Sequence, residues 1–327
     1  MTVSNGSLLG MPSRYAARRV EVPPVSTEGY ADAVRAEMTR GSYLTVLPAS
    51  EDSLIALGGG LTHLIDKVKL HEGAERVGIP TPPSRTFSGR METLAAGSEL
   101  EYPVVVKPAI RRSSAVFVRR REDLASALTV DGPTVVQRFM NEGLRAASGV
   151  IWRGRLVAAV HERWLRIWPD RCGLACAAET VAPDLDLEKR LVELMRGYEG
   201  IFCAQLAGPY LFDLNLRVYS SHPLAVAAGV NLVALSCDLL RGQRVEDTPQ
   251  RPRTGAFYRW LEGDVRRVLV AVRRGDLAPR AALEALRPRR SAAHSTESLR
   301  DPGPLLSRLL LAASRAPHKL VRPRSGR

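Results

Sequence analysis

The segment Asp213-Leu-Asn-Leu-Arg217 carries the densest chemistry in the chain. Strand side chains alternate between two faces. If 211–218 is a strand, Asp213, Asn215 and Arg217 line one face, with Phe212, Leu214 and Leu216 opposite. The apolar row can be buried. The polar row offers a carboxylate, an amide oxygen and a guanidinium, an inventory suited to holding a hard divalent cation beside a phosphate. Upstream, Gly208-Pro209-Tyr210 reads as a three-residue hairpin loop. It would pair Ala207 with Leu211 and set Gln205 beside Asp213 on the same side of the sheet.

A second charged group stands out. Lys107 closes Tyr102-Pro-Val-Val-Val-Lys-Pro108, directly after three valines. A lysine beside so apolar a run must either reach water or meet a buried anion. Lys67, in Asp66-Lys-Val-Lys-Leu-His-Glu-Gly, opens a predicted helix over 66–77 that Gly78 ends. Taken alone, a lysine on an amphipathic helix is usually solvated.

The positioning elements follow from the pattern. Strands are predicted at 43–47, 103–107, 115–119 and 134–139, and a hairpin at 148–152 with 155–161 turns at Arg153-Gly154. Helices are predicted at 27–39, from Pro48-Ala-Ser-Glu-Asp onward, at 121–128 and at 185–197. One apolar helix is expected over 223–240, and further helices over 254–274 and 304–314.

The chain has 327 residues, 45% of them hydrophobic, which is enough for a sizeable core. Its net charge of +13 is uneven. From Arg241 onward there are 20 Lys+Arg against 8 Asp+Glu, and before it 27 against 26. A nearly neutral body is thus followed by a basic segment. No apolar run reaches the length of a bilayer span and no signal-peptide pattern opens the chain, so a cytoplasmic protein is expected. Cys172, Cys176, Cys203 and Cys237 form no zinc pattern and read as reduced thiols.

Together these motifs resemble the ATP-grasp superfamily, in particular its carbamoyl-phosphate-synthase-like and carboxylate–amine ligase branches, from about Tyr43 to about Leu240. The resemblance implies an α+β class and the ATP-grasp fold, with two α+β lobes gripping ATP. Residues 1–65 would be a truncated α/β segment and 66–140 the nucleotide-binding lid lobe. Residues 141–240 would be the lobe with the metal site, and 241–327 a partly helical basic extension. Only about 65 residues precede Lys67, so the first strand–helix unit of the preceding domain is expected to be missing.

In this family Lys67 and Lys107 match the lysines that touch ATP phosphates. Thr134-Val-Val-Gln137-Arg-Phe-Met140 resembles the hinge that pairs with adenine, through Gln137 and the main chain of Arg138 and Met140, with Glu142 as a ribose contact. Gln205, Asp213 and Asn215 match the ligands of Mg²⁺ or Mn²⁺, although the family usually has Glu where Asp213 stands. Arg217 would stabilise the transferring phosphoryl group. Arg163 corresponds to a strand facing the site and would meet a substrate carboxylate or the γ-phosphate; its alternative is a surface ion pair. His222 reads as a structural or capping residue. The lid loop Ala109-Ile-Arg-Arg-Ser-Ser-Ala115 lacks the glycines the family uses to cradle phosphates. Arg111, Arg112, Ser113 and Ser114 would have to compensate.

The implied reaction activates a small-molecule carboxylate as an acyl phosphate, which an amine then attacks. The alternative is an ATP-binding regulatory protein with weak or no catalysis. No nucleic-acid reader motif is present, so no specific nucleic acid is expected. The basic tail leaves a peripheral membrane or protein contact open, and family members are often homodimers.

Overall fold

The chain's valine-rich and alternating segments pair into sheets. The computed structural model describes residues 2–4, 10–110, 114–244, 246 and 248–314. Two units result, one of Met1–Tyr43 with Thr296–Arg327, the other of Leu44–Ser295. In the first, strands β1 (Thr2–Ser4) and β2 (Arg19–Glu21) pair in parallel. It also holds helix α1 (Tyr30–Arg40) and a helix at Gly303–Ser314. Asp301 accepts from the Ser13 hydroxyl at 2.5 Å and from the Arg14 N–H at 2.9 Å.

The second unit begins with α2 (Glu51–Ala56), capped by Ser50, whose side chain accepts from the Ser53 N–H. Helix α3 (Lys67–Arg76) is capped by Asp66, which accepts from the Val68 and Lys69 N–H groups. A four-stranded antiparallel sheet follows, of β3 (Ser84–Phe87), β4 (Val104–Pro108), β5 (Val116–Val118) and β6 (Thr134–Arg138), in the order β3-β6-β4-β5. Phe87, Val104, Val106, Val118, Leu124 and Val136 form its core.

The larger sheet contains β7 (Leu144–Trp152), β8 (Arg155–Trp168), β9 (Leu174–Val181), β10 (Gly200–Ala207) and β11 (Tyr210–Asn215). Two short strands, β12 (Phe257–Arg259) and β13 (Ala293–His294), complete the order β11-β10-β7-β8-β9-β12-β13. On one face Leu70 and Ala74 of α3, with Leu187 and Leu191 of the helix Leu185–Leu194, pack on Ala147, Phe202, Ala204, Leu206 and Leu214. On the other face Ala225, Leu232 and Leu239 pack on Ala146, Val150 and Cys203.

Four local expectations are corrected. Residues 43–47 form no strand, and among the described residues no neighbouring strand offers them a ladder. The expected single helix over 223–240 is two, His222–Ala227 and Leu232–Leu240. Gly229 breaks it at φ 101°, and Asn231 caps the second helix by accepting from the Ala234 N–H. The start of the expected 254–274 helix is strand β12, which pairs with β9; the helix itself runs over Leu261–Arg274. Residues 121–128 form a short 3₁₀ turn and one turn of helix. Among the described residues no helix is long and apolar enough to cross a membrane.

Candidate functional site

The β10–β11 pair carries the polar row, and its register is set by a bulge. Ala207 pairs with Tyr210 and Leu206 with Leu211 across the two-residue loop Gly208-Pro209. The register then shifts, so that Gln205 pairs with Asp213 and Cys203 with Asn215. Phe212 is the extra residue. Gln205 does stand opposite Asp213, but through a two-residue loop plus a bulge rather than a three-residue loop. The apolar face carries Leu211, Leu214 and Leu216. Phe212, expected among them, lines a cleft instead.

That cleft, about 360 Å³ in volume, is lined from both sheets. Lys67, Lys107, Gln137, Arg138, Met140, Gln205, Asp213, Asn215 and Arg217 all reach it. Residues 105 and 146 positions apart in sequence meet there because α3 packs beside β11 and Lys107 of β4 reaches it; the Lys67 ammonium contacts Asp213 Oδ1. Lys107 Nζ donates to the carbonyl oxygen of Phe212 at 2.9 Å. Burial pushes the Lys107 amine down to about 7, with repulsion from Lys67 acting in the same direction. His71, one turn along α3 from Lys67, is pushed down to about 4, by burial first and then by Lys107 and Lys67.

The polar row is internally connected. Asn215 Nδ2 donates to Asp213 Oδ2 at 3.1 Å, and Arg217 Nη2 donates to Asn215 Oδ1 at 2.6 Å. Arg217 Nη2 lies 3.9 Å from Glu51 Oε1, and the Glu51 side chain is 1% exposed. Glu51 also lines the cleft. Its sequence context, the first turn of a short helix, signals only a favourable helix dipole, so sequence reasoning passed over it.

The donor set suits magnesium. Gln205, Asp213 and Asn215 present hard oxygen donors, and cationic side chains already lie against two of them. Among the described residues no group of three His, Cys, Asp or Glu could hold a metal alone. A site with one carboxylate suits an ion whose remaining ligands are phosphate oxygens and water, the usual habit of Mg²⁺.

At the hinge, Gln137 is 4% exposed and its Nε2 donates to Ser84 Oγ at 3.4 Å. The Arg138 N–H donates to the Pro83 carbonyl and the Phe139 N–H to the Pro103 carbonyl. The Met140 N–H has no acceptor among the described residues. In the lid loop Ser114 lines the cleft, while Arg111, Arg112 and Ser113 lie outside the described residues.

Two expected site residues are not brought to the cleft. Arg163 sits on β8 between Glu162 and Trp164, so it faces the opposite side of the sheet, where it pairs with Glu179. Glu142 is exposed beside the Gly208 turn, where a Cβ on Gly208 would come 3.0 Å from its side chain. His222 opens a helix, and its ring packs edge-on to Tyr219 at 5.8 Å.

The cleft also has a wall that sequence reasoning missed. Trp164, Ile167, Trp168, Cys172, Leu174 and Trp260 line it. Trp260 lies in the segment expected to be a basic tail. That segment is instead fastened to the body: the buried Asp264 pairs with Arg166 and Arg259, and Arg259 donates to the Ala285, Leu286 and Arg287 carbonyls. Asp170, in the β8–β9 turn, is held by Arg267 at 3.3 Å and Arg274 at 3.1 Å. A membrane contact through the tail gains no support from this arrangement.

No family model matches the chain. Carbamoyl phosphate synthase large chain of Pseudomonas syringae pv. tomato is 21% identical over 262 residues, 70% of this chain and 24% of that protein. The chain thus matches about a quarter of that relative's length. Among solved structures, L-amino acid ligase from Bacillus licheniformis superposes at a TM-score of 0.53 with 20% identity, covering 69% of this chain and 63% of that one. Biotin carboxylase from Campylobacter jejuni, solved as a β,γ-ATP complex, gives 0.58 with 16% identity over 78% and 68%. The biotin carboxylase domain of Hydrogenobacter thermophilus 2-oxoglutarate carboxylase, solved with MgADP, gives 0.57 with 15% identity over 78% and 67%. With two sheets lining a cleft where the two lysines and the Gln205/Asp213/Asn215 row converge, the chain has the ATP-grasp fold.

Proposed function

We propose that the protein is an ATP- and Mg²⁺-dependent ligase that activates a small-molecule carboxylate as an acyl phosphate for attack by an amine. The observation that carries this reading is the convergence of Lys67, Lys107, Asp213, Asn215 and Arg217 on one cleft from separate elements. Two solved proteins of the same fold hold a β,γ-ATP ligand and MgADP respectively.

Adenine would sit at the hinge. The Gln137 side-chain oxygen and the Arg138 carbonyl would accept from its amino group, and the Met140 N–H would donate to a ring nitrogen. Lys107, buried and poor in charge without a ligand, would regain its proton beside a phosphate and leave the Phe212 carbonyl. Lys67 would turn from Asp213 to the phosphates. Gln205, Asp213 and Asn215 would hold Mg²⁺, which supplies charge neutralisation of the triphosphate.

The substrate carboxylate must approach a phosphoryl group that is itself anionic. Two unit charges 4 Å apart repel by about 4 kcal/mol at an effective dielectric near 20. Arg217, fixed by Asn215 and by the Val218 carbonyl at 3.0 Å, would offset this at the transferring group. The carboxylate oxygen forms a bond to the γ-phosphorus as the bond to ADP breaks. The amine then forms its bond to the acyl carbon, inorganic phosphate leaves, and the amine loses a proton. A closed, dry cleft keeps water from the acyl phosphate.

The test is ADP release from MgATP, screened with mixtures of carboxylates and amines. Release should need Mg²⁺ and both substrates, and should fall at least 100-fold in Asn215→Ala, about the loss typical for a group acting on transition-state charge. Nucleotide binding with no turnover across the screen would favour the regulatory alternative.

A further inference from the structure

We infer that the carboxylate substrate carries a bulky apolar group, preferably an aromatic ring, and that the wall formed by β8, β9 and Trp260 receives it. This rests on the ligase reading for which ligand is meant, but the wall itself is independent of it.

The cleft has two sides. The polar row lies along β10 and β11, and the hinge follows β6 of the other sheet. Gln205 pairs with Ala146 of β7, and Ala146 with Glu162 of β8. Trp164, two residues beyond Glu162, shares that face. From Asp213 to β8 is three strand spacings, or roughly 14 Å. The nucleotide phosphates would occupy the β10–β11 side, which leaves the β8–β9 side for a second ligand.

That side is apolar and held in place. Trp164 Nε1 donates to Glu162 Oε1 at 2.9 Å, and the same oxygen accepts from Ser221 Oγ at 2.7 Å. Ser221 lies four residues after Arg217, so Trp164 is tied to the loop that leaves the polar row. The Trp260 backbone N–H donates to the Cys176 carbonyl at 2.9 Å. A Cβ on Gly263 would come within 2.6 Å of the Trp260 ring, so the glycine makes room for that ring. Ile167 is 8% exposed and Leu174 46% exposed. The β8–β9 turn is clamped by Arg267 and Arg274 through Asp170.

Charge points the same way. Among the residues lining the cleft, the acids are Glu51 and Asp213, beside Arg217 and Lys67 respectively. Of the cations, Arg171 lies over the Phe117 ring at 4.6 Å. A cationic side chain on the substrate would lose water at this wall without meeting an acid, since Glu51 and Asp213 lie on the other side beside Arg217 and Lys67. A flat apolar group would replace water on tryptophan faces and favour ring contacts.

The test uses the full chain with MgATP and a fixed amine mixture, comparing phenylalanine, tryptophan and indole-3-acetate with acetate, alanine and aspartate as the carboxylate. Aromatic carboxylates should give kcat/KM at least ~100-fold higher. Leu174→Asp, a change at a half-exposed site that leaves the core intact, should raise KM for the aromatic carboxylate at least tenfold and leave KM for MgATP within twofold. Preference for acetate, alanine or aspartate, or an unchanged KM in Leu174→Asp, would overturn the inference while leaving the ligase reading standing. If no mixture releases ADP, calorimetry with phenylalanine and indole-3-acetate decides. Binding that Leu174→Asp abolishes would keep the site and sink the ligase reading; no binding would sink the site.

Discussion

The Lys107 amine donates to the carbonyl of Phe212, the residue that bulges from β11, at 2.9 Å. The bulge removes that carbonyl from the ladder and directs it at the amine. With the amine pushed down to about 7, the unfolded chain binds a proton that the folded chain lacks between about pH 7 and 10.5. Stability contributed by this group therefore rises with pH across that window and has no slope below it. Lys107→Met should abolish the slope in denaturant titrations, match or exceed wild-type stability at pH 7, and lose nucleotide binding. Calorimetry of MgADP binding near pH 7.5 in buffers of different ionisation enthalpy should show proton uptake by wild type.

His71 and Glu162 oppose each other in acid. His71 is lowered from 6.5 to about 4, so its stabilising share is present above pH 6.5 and is lost as pH falls toward 4. Burial raises Glu162 from 4.5 to about 7, so its share is present below pH 4.5 and is lost as pH rises toward 7. Wild type should thus be comparatively flat between pH 4.5 and 6.5. Glu162→Gln should make stability climb with pH there, and His71→Asn should make it fall. Parallel curves for all three proteins would contradict the assignment.

Asp264 is 0% exposed and faces Arg166 and Arg259, which is itself 3% exposed. Removing one partner strands a buried charge, so Asp264→Ala should cost about 3–5 kcal/mol in urea unfolding. A chain cut after Leu240 loses β12, exposes the edge of β9 and should aggregate. Wild-type stability in either protein would show that the basic segment is an appendage.

Arg217 and Arg163 should separate cleanly. Arg217 is 13% exposed on the cleft, whereas Arg163 is 61% exposed at a surface pair with Glu179. Arg217→Ala should lower kcat at least 100-fold. Arg163→Ala should leave kcat within twofold and change stability by about 0–1 kcal/mol. A large kcat loss in Arg163→Ala would require a rearranged sheet.

What the sequence revealed depended on local pattern. Lys107 after three valines, the Asp66-capped helix and the β10–β11 row were all legible, because alternation and capping act over a few residues. The bulge at Phe212 was not, since one extra residue leaves the pairing of Gln205 with Asp213 intact. Strand β9, Leu-Ala-Cys-Ala-Ala-Glu-Thr-Val, has no aromatic residue and no β-branched residue before Thr180, and is fixed by neighbours on both sides. Glu51 and Trp260 entered the cleft only through tertiary packing. The arginines after Arg241 read as a solvated basic run, whereas Arg267 and Arg274 pair with Asp170 of the body, and Arg259 pairs with Asp264, itself held by Arg166 of the body.

The most direct measurement follows the oxygen atoms. With a carboxylate found active in the screen and labelled with ¹⁸O, together with MgATP and an amine, one labelled oxygen should appear in inorganic phosphate for each amide formed. Amide formation with unlabelled phosphate would mean that the carboxylate never bonds to phosphorus, and the acyl-phosphate account would fall.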